Sequence, residues 1–161
     1  MSDAHPKRIF NLALFALILL AAALRLYRLD AQDIWGDEAF SIFLSQQPLA
    51  AVIAGGADTH PPFYPILLFL WMPSVGPSAF ATRALSALIG ALIVPLLFVF
   101  AKRLARARPR VPMLAAILAT VSPLLIYYSQ ETRMYELVAV LALASSYFML
   151  RVIGDASARG G

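Results

Sequence analysis

Cysteine is absent from the 161-residue chain. That excludes a disulfide framework and any Cys-based metal site. Charge is scarce: Asp, Glu, Lys and Arg make up 14% of the residues, against about 25% in a soluble domain. No repeat stands out at a period of roughly 20–50 residues, so a solenoid is not expected. No apolar block carries an ionisable residue near its middle, which argues against a small transporter. No small-residue cleavage site follows the first apolar run; Arg25-Leu26-Tyr27-Arg28-Leu29-Asp30 does. The N-terminus therefore reads as an uncleaved first span that doubles as a targeting signal.

What is abundant is apolar sequence, at 61%. A bilayer core needs about 17–25 apolar residues per helix, and the apolar residues here come in blocks of that order. The candidates are 9–24, 79–101, 111–128 and 137–150. The expected fold is all-α: a polytopic membrane protein of about four transmembrane helices, with short interfacial or re-entrant helices in the first loop. Residues 1–8 read as a cytoplasmic N-terminus and 9–152 as the membrane module, with an outer loop at 25–78. Residues 153–161 read as a disordered tail. The lipid bilayer is the first partner.

Charge placement orients this scheme. Lys102, Arg103, Arg106, Arg108 and Arg110 cluster between two apolar blocks. Beside membrane spans such a cluster is a cytoplasmic loop obeying the positive-inside rule, not a nucleic-acid site. Lys7 and Arg8 place the N-terminus on the same side. Parity then works only if residues 61–75 do not cross the membrane fully. That block is short and interrupted by Pro61, Pro62, Pro65 and Pro73, which fits a re-entrant or interfacial helix. Asp37, Glu38, Asp58, His60, Arg83 and Arg133 are then all expected at the outer face of the cell membrane.

Three constellations carry chemistry. Asp37-Glu38 follows Gly36; paired acids can bind a metal or supply a general base, and taken alone they read first as a helix cap and first-turn acid. Phe40, Phe43 and Leu44 fall on one face of the same segment, as in a short helix lying on the membrane surface. Pro48 is expected to end it, and Gly55-Gly56 to mark a later turn. Asp58-Thr59-His60-Pro61-Pro62 is stiffened by its prolines and fits substrate contact or simple helix initiation. Arg83 and Arg133 lie within or beside apolar sequence, where an arginine needs a partner. A phosphate suits the guanidinium fork; so does pairing with Asp37, Glu38 or Glu131. An aromatic belt accounts for Tyr127 and Tyr128, but not for Gln130, Glu131 and Arg133 beside them.

In order along the chain stand Leu26-Tyr27-Arg28-Leu29, Trp35-Gly36-Asp37-Glu38-Ala39 and Thr59-His60-Pro61-Pro62-Phe63-Tyr64. Thr82-Arg83-Ala84-Leu85-Ser86-Ala87-Leu88-Ile89-Gly90, Ser122-Pro123 and Tyr128-Ser129-Gln130-Glu131-Thr132-Arg133-Met134-Tyr135 follow. This ordered set resembles the polyprenyl-phosphate-dependent glycosyltransferases of the GT-C fold. The nearest group is glycosyltransferase family 39, the protein mannosyltransferases and aminoarabinose transferases.

The resemblance implies a sugar on a polyprenyl phosphate as donor and an acceptor hydroxyl. It implies Asp37 as the catalytic carboxylate with Glu38 beside it, and His60-Pro61-Pro62 bordering the active site; Asp58, just before that motif, is kept as a substrate contact from the residue reading alone. It implies Arg83, Gln130, Glu131, Arg133 and Tyr135 near the lipid phosphate. Metal use varies across the fold, so a divalent metal is left unassigned. Family members run to several hundred residues, and the resemblance covers only their N-terminal module. The expectation is a fragment, or one half of a split enzyme whose partner is the missing C-terminal part. The competing expectation is a non-catalytic membrane remnant or partner subunit.

Overall fold

The computed structural model describes residues 4–55 and 60–159. Among them every regular element is an α-helix: α1 (Ala4–Leu26), α2 (Gly36–Ser45), α3 (Leu49–Ala54), α4 (Phe63–Val75), α5 (Ala79–Ala91), α6 (Ile93–Leu104), α7 (Val111–Val121), α8 (Pro123–Ser129) and α9 (Tyr135–Arg159). Two helices are long and apolar enough to cross a membrane: Ala79–Leu104, which joins α5 to α6, and Tyr135–Gly154 within α9. The α7–α8 pair makes a third if its 53° bend lies within one span, whereas Phe10–Leu26 is shorter. The expected four blocks are all present, and two or three of them reach spanning length.

Prolines set the breaks. Leu92 interrupts α5–α6 just before Pro95, whose ring removes an N–H from the helical ladder. Ser122 is extended (ψ 116°) immediately before Pro123, and its hydroxyl accepts a hydrogen bond from the Leu125 N–H at 3.4 Å. The pre-proline restriction forces this residue out of the helix. The resulting bend lets α8 carry Tyr127, Tyr128 and Ser129 toward the loop that follows.

The bundle packs through small residues. Ala21 of α1, Ala116 and Ala119 of α7, and Ile93 and Val94 of α6 form one core. Ala84 and Ala87 of α5 receive Leu29 in another. Small side chains let helix axes approach closely, which is how helices associate where lipid removes the hydrophobic driving force. Gly90 marks the tightest crossing: a Cβ there would meet the Ser129 Cβ at 2.7 Å and Glu136 Oε2 at 3.0 Å.

Helix α4 lies beside the Arg83 half of the long helix. Its Tyr64 hydroxyl is 2.7 Å from Ser86 Oγ, and its Trp71 Nε1 donates to the Ala81 carbonyl at 2.8 Å. At 13 residues it spans about 20 Å, too short to cross. Gly55 forms the expected turn, in the left-handed region (φ 75°), and closes a short helix of its own, α3. Two expectations need correction. Asp37 does not cap α2, because the helix starts one residue earlier with Trp35 as N-cap. The tail is helical as far as Arg159; past Gly154 it is rich in alanine, the best helix former.

Candidate functional site

At the Arg83 end of the bundle, six charged side chains are withdrawn from solvent. Arg25, Arg83 and Arg133 are matched in number by Glu38, Glu131 and Glu136, and each is at most 9% exposed. Buried charge of this density survives only where it is paired and hydrogen-bonded.

The centre is Glu38 with Arg83. The guanidinium grips the carboxylate with both edges, Nε to Oε1 at 2.8 Å and Nη2 to Oε2 at 2.6 Å. Its other N–H groups donate to the carbonyls of Leu29 (2.9 Å), Gln32 (2.8 Å) and Asp33 (3.1 Å). All five arginine donors are thereby used. Arg83 is placed as an internal clamp that folds the 27–35 loop over α5, and it has no N–H left for a phosphate.

Glu38 is equally committed. It also accepts from the Thr132 N–H at 2.8 Å and, more weakly, from the Trp35 N–H at 3.4 Å. Burial pushes its carboxyl up, but the Arg83 guanidinium and the Thr132 N–H outweigh burial and hold it below the ordinary 4.5.

The turn at 130–134 is fastened on several sides. Gln130 Nε2 donates to the carbonyls of Arg25 (3.1 Å) and Tyr27 (3.0 Å). Thr132 Oγ1 reaches Thr82 Oγ1 at 3.1 Å, and Ser86 Oγ donates to the Arg133 carbonyl at 3.2 Å. Since Ser86 has one hydroxyl proton, Tyr64 is the donor in its bond to Ser86. These bonds hold Arg133 against α2.

Arg133 differs from Arg83. Its Nη1 donates to the Asp37 carbonyl at 3.3 Å and to Ser41 Oγ at 3.2 Å. Its Nη2 stands 3.7 Å from Asp37 Oδ2, beyond hydrogen-bond length. Its Nε is buried without a partner, although the residue is only 6% exposed. The Asp37 side chain is 52% exposed. One arginine with spare donors therefore sits beside one open carboxylate. The Tyr135 ring lies 5.9 Å from the Arg133 guanidinium carbon, within cation–π range.

A cavity of about 430 Å³ opens next to this pair, with Glu38, Arg83, Gln130, Glu131, Tyr128 and Tyr135 among its walls. Its volume is that of a small-ligand site. Asp37 and Arg133 are not among its lining residues. Burial raises the Glu131 carboxyl above its ordinary value, with the Tyr127 hydroxyl and the two arginines pulling the other way.

The structure thus gathers Asp37, Glu38, Arg83, Gln130, Glu131, Arg133 and Tyr135 at one end of the bundle. His60 is exposed on the stretch leading into α4, and Asp58 lies outside the described residues. Two buried charges went unread in the sequence. Arg25 extends from α1 and donates to the carbonyls of Ala21 (3.2 Å) and Ala119 (3.1 Å). Glu136 is 2% exposed at the start of α9. The available signal was that each adjoins an apolar block, where a charge turned inward needs a partner. No cluster of three or more His, Asp or Glu able to hold a metal occurs among the described residues. Compared with known protein families, with curated proteins and with solved structures, the chain has no match.

Acid should test the clamp. Glu38 has a lowered folded-state pKa, so its contribution to stability is complete above about pH 4.5. That contribution is lost as pH falls through the lower folded value. Glu131 has a raised one, so its protonation favours the fold as pH falls. The expected melting profile of the detergent-solubilised protein is flat or slightly rising from neutral pH to about 5, then falling steeply. An undiminished melting temperature down to about pH 3 would show that the Glu38–Arg83 pair adds nothing.

Proposed function

We propose that this module serves inverting transfer of a sugar from a polyprenyl-phosphate donor to an acceptor hydroxyl, at the outer face of the membrane. The observation that carries the reading is the Asp37–Arg133 pair. An accessible carboxylate adjoins a buried guanidinium whose Nε has no partner. The ordered motifs of the GT-C resemblance supply the chemical class. The acceptor oxygen attacks the anomeric carbon while the bond from that carbon to the phosphate oxygen breaks. The phosphate leaves with the bonding electrons, and Asp37 takes the hydroxyl proton. Arg133 holds the charge that grows on the phosphate, in a site where fixed donors outperform water. Glu38 and Arg83 position Asp37 and the 130–134 turn; neither has a free group to offer the substrate. A purely scaffolding role for the chain is favoured by that same saturated pair, but it leaves the spare donors of Arg133 without a use.

The donor side is tested on Arg133. Arg133→Lys keeps the charge but loses the fork. Affinity of the purified chain for a radiolabelled polyprenyl-phosphate sugar should fall roughly tenfold, the loss of about one charge-assisted hydrogen bond. Unchanged affinity would make Arg133 a structural residue.

The orientation is tested by labelling. The basic loop at 102–110 is placed in the cytoplasm and α2 outside. Single cysteines at Gln46 and Ala107, both exposed, should react with an impermeant maleimide from opposite sides of intact cells. Reaction of both from outside would overturn the scheme.

A further inference from the structure

At the other end of the long helix the chemistry is reversed. Lys102 lies 19 residues beyond Arg83, about 28 Å along the axis. The chain has no acidic residue between Asp58 and Glu131, so the basic loop has no counter-ion in its own neighbourhood of sequence. Among the described residues no ion pair or hydrogen bond engages the side chain of Lys102 or Arg106, and both are exposed. Between them and α1 lies a cavity of about 460 Å³. Phe10 of α1, Phe98 of α6 and Pro112 of α7 give it apolar walls, and Lys102, Arg106 and Asn11 give it polar ones. A second hollow, bounded by Arg103, Leu150 and Gly154, shares Arg106.

We propose that this cavity is a binding site for an anionic phospholipid. The headgroup phosphate would take Lys102 and Arg106, and an acyl chain would lie along Phe98 and Phe10. Three observations converge on that occupant. The site sits at the end of membrane-spanning helices, where headgroups are at local concentrations no soluble anion reaches. Among the described residues the charges of Lys102 and Arg106 have no ion-pair partner, and they are of the sign that anionic lipids attract. Its walls are mostly apolar, which a lipid satisfies and a free phosphate does not. Because α1, α6 and α7 all contribute, a bound lipid would tie the first helix to the hairpin formed by the other two. Nothing in this argument depends on the sugar-transfer reading.

The test is native mass spectrometry of the full chain in detergent, titrated with phosphatidylglycerol, phosphatidylcholine or inorganic phosphate. Phosphatidylglycerol is expected to bind roughly tenfold or more tightly than phosphatidylcholine, and millimolar phosphate is expected not to displace it. Lys102→Gln with Arg106→Gln should abolish that preference. Arg108→Gln with Arg110→Gln removes the same charge from residues that do not line the cavity and should preserve it. Lys102→Arg with Arg106→Lys keeps the charge and should also preserve it, which separates loss of the site from loss of the fold. Equal losses in the two glutamine pairs would overturn the site, since they would mark a diffuse cationic surface. Displacement by inorganic phosphate, or no preference over phosphatidylcholine, would overturn it too.

Discussion

Arg83→Met should leave little folded protein. The substitution roughly keeps the length of the apolar stem but removes five donors at once. Glu38 would then be a buried carboxylate held only by the N–H groups of Thr132 and Trp35. The carbonyls of Leu29, Gln32 and Asp33 would lose the group that gathers them. Breaking one side of a buried ion pair typically costs about 3–5 kcal/mol, a large share of the roughly 5–15 kcal/mol that holds a domain together. The expected readout is a steep loss of monodisperse protein on extraction and a melting temperature lowered by at least about 10 °C. Arg83→Lys should fall between, because one ammonium cannot reach five acceptors. The double variant Glu38→Gln with Arg83→Met should be less damaged than the sum of its single variants, since the orphaned charge is gone. A wild-type melting temperature for Arg83→Met would mean that the clamp is ornamental and the loop is held by packing alone.

Asp37→Asn should do the opposite: keep the fold and stop the chemistry. The Asp37 side chain is half exposed, and its contact with Arg133 is a long 3.7 Å. The helix it sits in is capped at Trp35, with Glu38 accepting from the Trp35 N–H. Little stability is therefore at stake; an exposed ion pair contributes about 0–1 kcal/mol. The proposed proton acceptor is removed, however, and a positioned general base is worth about 10²–10⁴ in rate, or roughly 3–5 kcal/mol of barrier. The measurement is transfer from a radiolabelled polyprenyl-phosphate sugar by a protein that contains this module and turns over. Melting temperature and donor affinity are followed in parallel. Unaltered turnover with unaltered folding would leave Asp37 as a surface partner of Arg133 and would exclude it as the general base. Expression of residues 1–161 alone separates the remaining readings. Donor binding without turnover is expected if the acceptor-binding part lies elsewhere, and turnover by the isolated chain would overturn that expectation.

The sequence by itself determined that the chain is helical and belongs in a membrane. Apolar blocks of spanning length with few charges admit no other economical way to satisfy the backbone in lipid. It also marked the short α4, because proline acts locally and four prolines interrupt residues 61–75; the Ser122–Pro123 bend, inside what read as one block at 111–128, emerged only in the structure. Asp37, Glu38, Arg83 and Arg133 could be singled out for the same kind of reason, since an ionisable residue beside an apolar block demands an explanation wherever it stands. What the sequence left open was which charge pairs with which. Glu38 and Arg83 are separated by 45 positions and Asp37 and Arg133 by 96, and no local rule joins residues at such distances. Only the packing of α2 and the 130–134 turn onto α5 decided that Arg83 would spend every donor inside the protein while Arg133 kept some in reserve. The same packing drew in Arg25 and Glu136, which in the linear chain stand merely at the margins of apolar blocks. Charges identical in type along the chain were thus divided by tertiary structure into those consumed in holding the fold and those left free to act. The physical reason is that a guanidinium's availability is set by how many acceptors surround it, and that count exists only after folding.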